Sequence, residues 1–241
     1  AETNTASVMA WGFDPAASER NPYLGAQAAC LSSVAKLAAA GCDTRKAYFS
    51  FQEFFEKPNK ADPKRLGKPL AALLGAFTAQ TALGIGAIGG KDSMSGTFND
   101  IDVPPTLISF AITTHRADKV LSPEFKNAGR QVIYFPVPYE NGAPDLSAAK
   151  ALYTRFNALC EQGKVEAAWA VSAGGVLEAV AKMAIGNDIG FELDSGADPE
   201  TLFQQNYGGL VAQMSPGYST ADGEMLLGTT IEAPELRLGD A

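Results

Sequence analysis

The sequence holds a single histidine, His115, and only three cysteines, Cys30, Cys42 and Cys160, with no CxxC spacing among them. A Ser-His-Asp triad or a histidine-rich metal centre would have to rest on His115 alone, at a strand end before a charged connector, where a plain boundary residue is the simpler reading. Cysteines so spaced, each beside small apolar residues, suggest neither a zinc site nor a disulfide framework and fit a reducing cytoplasm. No apolar run approaches the ~20 residues of a membrane span. The opening AETNTASVMAWG lacks the basic start and long apolar core of a signal peptide. Basic residues number 19 against 27 acidic ones, and the formal charge of −8 repels nucleic acid and anionic membranes. The one basic cluster, KPNKADPKRLGK from Lys57 to Lys68, is diluted by prolines and acids and reads as a solvated loop.

What is present is an ordinary globular composition, 46% hydrophobic, long enough at 241 residues for two domains. The chain opens without methionine and runs at once into strand-like SVMAW, which suggests a piece cut from something longer. From Leu24, LGAQAACLSSVAKLAAAG has helical spacing and a glycine stop. AYFSF, residues 47 to 51, reads as a strand; KPLAALLGAFTAQTALG, residues 68 to 84, as a largely buried helix; IGAIGG as a buried strand; and PTLISFAITTH, residues 105 to 115, as another strand. RADKVLSPEF is a connector, which places a boundary between domains 1–117 and 118–241. Beyond it the pattern gives strand QVIYFPVP, helix Asp145 to Glu161, strand Ala167 to Val171 and helix Val176 to Ile185. Strand Ile189 to Leu193, a short helix from Pro199 to Gln205 and strand Gly209 to Gln213 follow. Strands and helices alternate, so both blocks read as mixed α/β with helices laid on one face of each sheet.

GIGAIGGKDSMSGTF, residues 84 to 98, carries the chemistry. It is no Walker loop: Ile85 stands where the first glycine belongs and Asp92 where the hydroxyl belongs. Gly84, Gly86 and Gly89 have GxGxxG spacing, but they follow a helix rather than a strand and lead into KDSMSG rather than a helix. What remains is a strand end followed by Gly89, Gly90, Lys91, Asp92, Ser93, Met94, Ser95 and Gly96. Glycines let a backbone approach phosphate, lysine neutralises its charge, hydroxyls donate to it, and Asp92 suits a metal or a sugar hydroxyl. A tight turn between buried strands, with glycines for conformation and polar residues for solvent, explains the same letters.

VSAGGVLEAVAKM, residues 171 to 183, puts Ser172 and two glycines at the start of a helix, a place that binds anions through free N–H groups, or is simply capped by Ser172. Glu53 and Glu56 in FQEFFEKP read either as a carboxylate pair on a helical turn or as a solvated acidic turn before Pro58.

Read in order, NPYLGAQAACLSSVAKLAAAGCD, GKPLAALLGAFTAQTALGIGAIGGKDSMSGTF, VPPTLISFAITTH and AGGVLEAVAKMAIGNDIGFEL with YGGLVAQM resemble phosphoribosylformylglycinamidine synthase, the amidotransferase of purine biosynthesis. GGKDSMSG followed by PPTLISFA is the most specific part, and the likeness is to the second synthetase half of the large single-chain form. The resemblance implies an aminoimidazole ribonucleotide synthetase-like fold of α/β (α+β) class: a partial N-terminal mixed-sheet domain that pairs its sheet with another such domain, plus a C-terminal α/β sandwich domain. It also implies a cytoplasmic ATP-dependent carbon–nitrogen ligase. ATP activates the amide oxygen of formylglycinamide ribonucleotide as an iminophosphate, and ammonia from glutamine displaces phosphate. By position it points to Gly89, Gly90, Lys91, Asp92, Ser93 and Ser172 as contacts to ATP or substrate. ATP and magnesium are the implied cofactors of the full enzyme. Implied partners are the first synthetase half, the glutaminase domain, or a second copy in a homodimer through the exposed sheet, with neither nucleic acid nor membrane among them. In relatives a glutamate and an asparagine four apart on the first helix hold magnesium; here those places are Ser32 and Lys36. The expected SDGG is SAGG, with Ala173 for the acid, and a further acid is Ala170. With most of that magnesium set replaced, a nucleotide in this half is not expected as a matter of course; and with neither glutaminase domain nor first synthetase half in it, the chain alone is expected to be inactive. The rival expectation is a degenerate half that serves as interface scaffold.

Overall fold

The computed structural model describes residues 3–239. In chain order it contains β1 (Thr5–Gly12), α1 (Pro15–Arg20), α2 (Pro22–Ala39), β2 (Tyr48–Phe54), α3 (Lys64–Leu83), β3 (Ala87–Lys91), β4 (Thr97–Phe98), β5 (Ile101–Asp102) and β6 (Thr106–Arg116). There follow β7 (Gln131–Phe135), β8 (Tyr139–Glu140), β9 (Ala143–Pro144), α4 (Leu146–Glu161), β10 (Val165–Ala170), α5 (Gly175–Ile185), β11 (Gly190–Leu193), β12 (Leu210–Met214), β13 (Met225–Ile231) and β14 (Leu236–Arg237). The short helix expected after Pro199 is a 3-10 turn, Pro199–Phe203. Helix α1 and strands β13 and β14 are not among the elements expected from sequence, although Asp14 and Pro15 form a helix start of the same kind as Asn21 and Pro22.

Four strands before the connector form one sheet in the order β1-β6-β2-β3, antiparallel except for the parallel pair β2 and β3 that α3 joins, and β4 and β5 form a separate hairpin. Six of the strands after it form a sheet, β10-β12-β7-β13-β11-β14, and β8 pairs with β9 alone. Helix α2 lies between the two. Asn21 starts it by accepting from the Tyr23 and Leu24 amides with Pro22 in the first turn, and its alanines, glycine and serines are buried nearly all round. Its residues share one core with Phe49 and Ala111 of the first sheet and with Ile133, Leu210 and Ala212 of the second.

Helices cover one face of the four-stranded sheet, as the pattern suggested, but both faces of the six-stranded one. In the six-stranded sheet Ile133 and Phe135 face α2 and α4, with Phe135 and Phe156 edge-to-face at 5.3 Å, while Val132, Tyr134 and Val211 face Val176, Val180 and Met183 of α5. Both faces are covered, which is why β7 and β12 are nearly continuous apolar runs. In the four-stranded sheet only the α2 face is covered. Met9, Trp11, Tyr48 and Ile88 stand exposed on this sheet, Ile88 to 67%.

Helix α3 is not largely buried either. It packs on α2 through Ala72, Gly75, Ala76 and Ala79, and leaves Leu66, Leu70, Leu73, Leu74 and Phe77 exposed. The approach is too close for anything but small residues: a Cβ on Gly75 would meet the Tyr23 carbonyl oxygen at 2.1 Å. Among the described residues no helix is long and apolar enough to cross a membrane.

Behind the second sheet, Asn206 donates to the Val137 carbonyl at 2.8 Å and accepts from the Val137 amide at 3.0 Å, tying the end of β7 to the turn before β12. Asn206→Ala leaves both buried backbone groups unpaired, and we expect a loss of about 2 kcal/mol in urea denaturation.

Candidate functional site

The glycine-rich stretch begins as β3, an edge strand exposed along its whole length rather than the buried strand expected of IGAIGG. Ser50 pairs with Gly89, Phe51 with Gly90 and Gln52 with Lys91 in parallel register. The pairing continues past the strand: the Ser93 amide donates to the Glu53 carbonyl at 3.2 Å, the Phe55 amide to the Ser93 carbonyl at 2.8 Å and the Gly96 amide to the Phe55 carbonyl at 2.9 Å. The loop is thus pinned to β2 along one side, with its other side open. Its glycines differ in what they do. A Cβ on Gly90 would meet the Phe51 carbonyl oxygen at 2.5 Å and one on Gly96 would meet Val103 at 2.1 Å, whereas Gly89 faces open space. Gly90 and Gly96 are required by packing, and Gly89 leaves room for an incoming group.

Around this frame Lys91 and Asp92 are exposed, and the Ser93 and Ser95 hydroxyls are 3.0 Å apart. Among the described residues Lys91 makes no salt bridge. A free ammonium beside open glycine backbone and two hydroxyls can bind an anion.

The acids of FQEFFEKP are neither on a helical turn nor solvated. Glu53 lies on β2 and is 4% exposed; Glu56 follows the strand and is also buried. Glu56 is neutralised by Lys68 at 2.8 Å and Arg65 at 3.8 Å. Arg65 also holds Asp102 in a two-pronged contact, at 2.5 and 3.2 Å, and Thr97 donates to Asp102 at 2.6 Å. The second half of KPNKADPKRLGK is therefore the first turns of α3, locked onto the β4–β5 hairpin, and not a loop. Among the described residues Glu53 has no such partner: burial, and after it the Asp92 charge, push its carboxyl up to about 7.

Ser172 ends β10's exit and precedes α5, as expected, but its hydroxyl donates to Glu178 at 2.6 Å. The same carboxylate accepts from the Gly174 amide at 3.0 Å and pairs with Lys182. The chain's own Glu178 thus sits on the opening of this helix, and its carboxyl is held below the usual range by Lys182 first and Ser172 second. Lys182 lies 5.3 Å over the Trp169 ring. Nearby, Lys36 of α2 donates to the Trp11 carbonyl at 2.7 Å and sits 4.5 Å from the Trp11 ring; burial lowers its pKa, helped by Lys182. This group belongs to the β1 edge. The Gly89–Ser93 loop is at the β3 edge, three strand spacings or about 14 Å away. The structure does not gather the two candidates into one cluster.

His115 contacts only the Lys119 carbonyl, at 3.3 Å, among the described residues. Burial pushes the Cys30 and Cys160 thiols up to about 12 and Cys42 to about 11, so all three are unreactive.

No protein-family model matches the sequence, and no curated protein matches it. Solved structures do. Thermotoga maritima PurL complexed with AMPPCP superposes with a TM-score of 0.75 over 97% of this chain at 17% identity, and the match covers 42% of that chain. The same protein complexed with FGAR gives 0.73 over 95% at 15% identity, again 42% of that chain. Thiamine-monophosphate kinase from Stenotrophomonas maltophilia gives 0.66 over 98% of this chain and 86% of that one, at 13% identity. The fold is aminoimidazole ribonucleotide synthetase-like. The chain spans about two-fifths of the PurL chains it matches.

The places to which the resemblance assigns magnesium are filled by Ser32, Lys36, Ala170 and Ala173, a set with one ammonium and no carboxylate. Lys36 and Ala170 line a cavity of about 330 Å³ with Trp169 and Leu121. Such a lining does not fit a divalent cation. Sequence reading missed Glu178 and its partners, although Glu178 and Lys182 stand at the i, i+4 spacing of a helical ion pair and were legible as such. It also missed the burial of Glu53, for which the letters carry no signal.

Proposed function

We propose that this chain is a synthetase half of a phosphoribosylformylglycinamidine synthase of the large single-chain type, with residues 1–117 and 118–241 as its two domains. It would work in the cytoplasm, with ATP as phosphoryl donor and glutamine-derived ammonia as nucleophile. The observation that carries the reading is the Gly89–Ser93 edge: a backbone pinned on one side, open on the other, with an unpaired Lys91 and two hydroxyls beside it. The likeness to PurL structures bound to AMPPCP and to FGAR supports the same chemistry. In this reading Lys91 and the Ser93 hydroxyl meet the charge that develops on a transferring phosphoryl group, fixed in place before the reaction. The uncovered sheet face, with Met9, Trp11, Tyr48 and Ile88, seats the sheet of the first half or of a second copy, and the glutaminase domain supplies ammonia.

A scaffold reading is favoured by the other edge, where Lys36 fills a place the resemblance assigns to magnesium and Glu178 takes up the Ser172 hydroxyl and the Gly174 amide. In our reading Ser172 there serves α5, and any nucleotide contact of this half runs through Gly89, Gly90, Lys91, Asp92 and Ser93. Calorimetric titration of the chain with ADP separates the two. We expect binding that weakens at least tenfold in a Lys91→Ala, Ser93→Ala variant. Absence of heat with a folded wild type, shown by its melting transition, would leave the scaffold reading.

A further inference from the structure

We propose that Glu53 and Asp92 hold a hard divalent cation beneath the Gly89–Ser93 loop. The two acids are neighbours on adjacent strands. Gln52 pairs with Lys91 in parallel register and the Ser93 amide bonds the Glu53 carbonyl, so Glu53 and Asp92 stand side by side in the ladder. Like charges placed so are destabilising unless something lies between them. Among the described residues no lysine or arginine comes within salt-bridge distance of either acid, although Glu56, three positions along, takes both Arg65 and Lys68. The Glu53 Oε1 atom is fully buried and has no hydrogen-bond partner, in a residue only 4% exposed. Among the described residues it is the only carboxylate oxygen in the buried side-chain atoms left unpartnered; the others belong to Gln27, Thr113 and Tyr134. An orphaned buried acceptor on a residue in ladder register with a second acid calls for an ion or a proton donor that the described residues do not provide.

The donor set narrows the ion. Both ligands are oxygens, which suits magnesium or manganese over softer metals. No group of three or more acids, histidines or cysteines gathers anywhere among the described residues, so a cage of the kind calcium favours is absent there. One or two carboxylates with the remaining positions left to water and phosphate is the way magnesium is usually held. Asp92 is exposed, so the remaining positions are open to water. The cation site stands on Glu53 and Asp92; only its use by a bound phosphate rests on the function proposed above.

The test uses the metal alone. Manganese is titrated into the chain without nucleotide, bound ion is followed by loss of the free-ion paramagnetic resonance signal, and magnesium is added as competitor. We expect about one ion per chain, displaced by magnesium, with affinity falling at least tenfold in Asp92→Asn and in Glu53→Gln. Asp92→Asn changes an exposed side chain and keeps the test open if the buried variant folds poorly. Equal manganese binding by wild type and Asp92→Asn, or none by a folded wild type, overturns the proposal. Lys91→Ala is expected to keep the manganese site whether or not it binds ADP, so failure of the phosphate reading is seen separately.

Discussion

In the presence of a chelator, Glu53→Gln is expected to stabilise the chain by about 2 kcal/mol at pH 8 and to have little effect near pH 4.5. The carboxyl is raised from 4.5 to about 7 in the folded state. Below pH 4.5 it is protonated both folded and unfolded. Between 4.5 and 7 the folded state binds the proton more tightly, so the stability this gives falls as pH rises and is gone above the folded value. The full shift corresponds to about 3 kcal/mol at 1.36 kcal/mol per unit. Water at the exposed Asp92 screens the pair and brings the figure to about 2. Urea denaturation of wild type and variant at several pH values isolates the term, because other carboxylates titrate alike in both. Parallel curves across the window would mean that Glu53 is ionised as easily in the folded protein as in the unfolded one.

The second large effect lies where α2 rests on the first sheet. A Cβ on Gly12 would meet the Ala29 carbonyl oxygen at 2.2 Å, Ser32 Cβ at 2.7 Å and the Ser33 amide at 2.9 Å. These are main-chain and Cβ atoms of a helix buried between two sheets, so no side chain can swing aside. Gly12 pairs with Ser109 on β6, and Ser109 bonds the Ser33 hydroxyl at 2.9 Å. Lifting α2 to admit a methyl group stretches that buried bond and opens the core on the helix's other side, at Ile133 and Ala212. Gly12→Ala is expected to cost about 3 kcal/mol, the upper end of overpacking penalties, and Gly12→Val to abolish the cooperative melting transition. A Gly12→Ala melting curve within a degree of wild type would show that the helix and sheet have slack the structure does not reveal.

Much of the fold was legible. NPYLGAQ announces a helix start through an asparagine cap and a proline, and the small residues that follow mark a helix meant to be approached closely. PTLISFAITTH alternates as a strand with one covered face should, and β6 is that strand. In the candidate site the glycines, lysine and serines of GGKDSMSG were legible as a loop able to take phosphate. Which glycine serves packing and which leaves space was not, because that depends on Phe51 and Val103, far along the chain from Gly90 and close to Gly96 only once the hairpin folds.

The sequence by itself determined where helices and strands form, since caps, turn residues and periodicity act between near neighbours. It also determined which chemical groups stand together along β3. Tertiary structure decided which side of each element is covered. In α3 the leucines, the more apolar stripe, face outward because only the alanine and glycine stripe fits against α2. Tertiary structure likewise decided the charge of Glu53, which reads as a solvent-facing acid in FQEFFEKP. Its neighbour Asp92 lies 39 positions on and reaches it only through the parallel pairing of β2 with β3. Burial and the field of distant charges are set by what the folded chain brings alongside, and no local pattern encodes them.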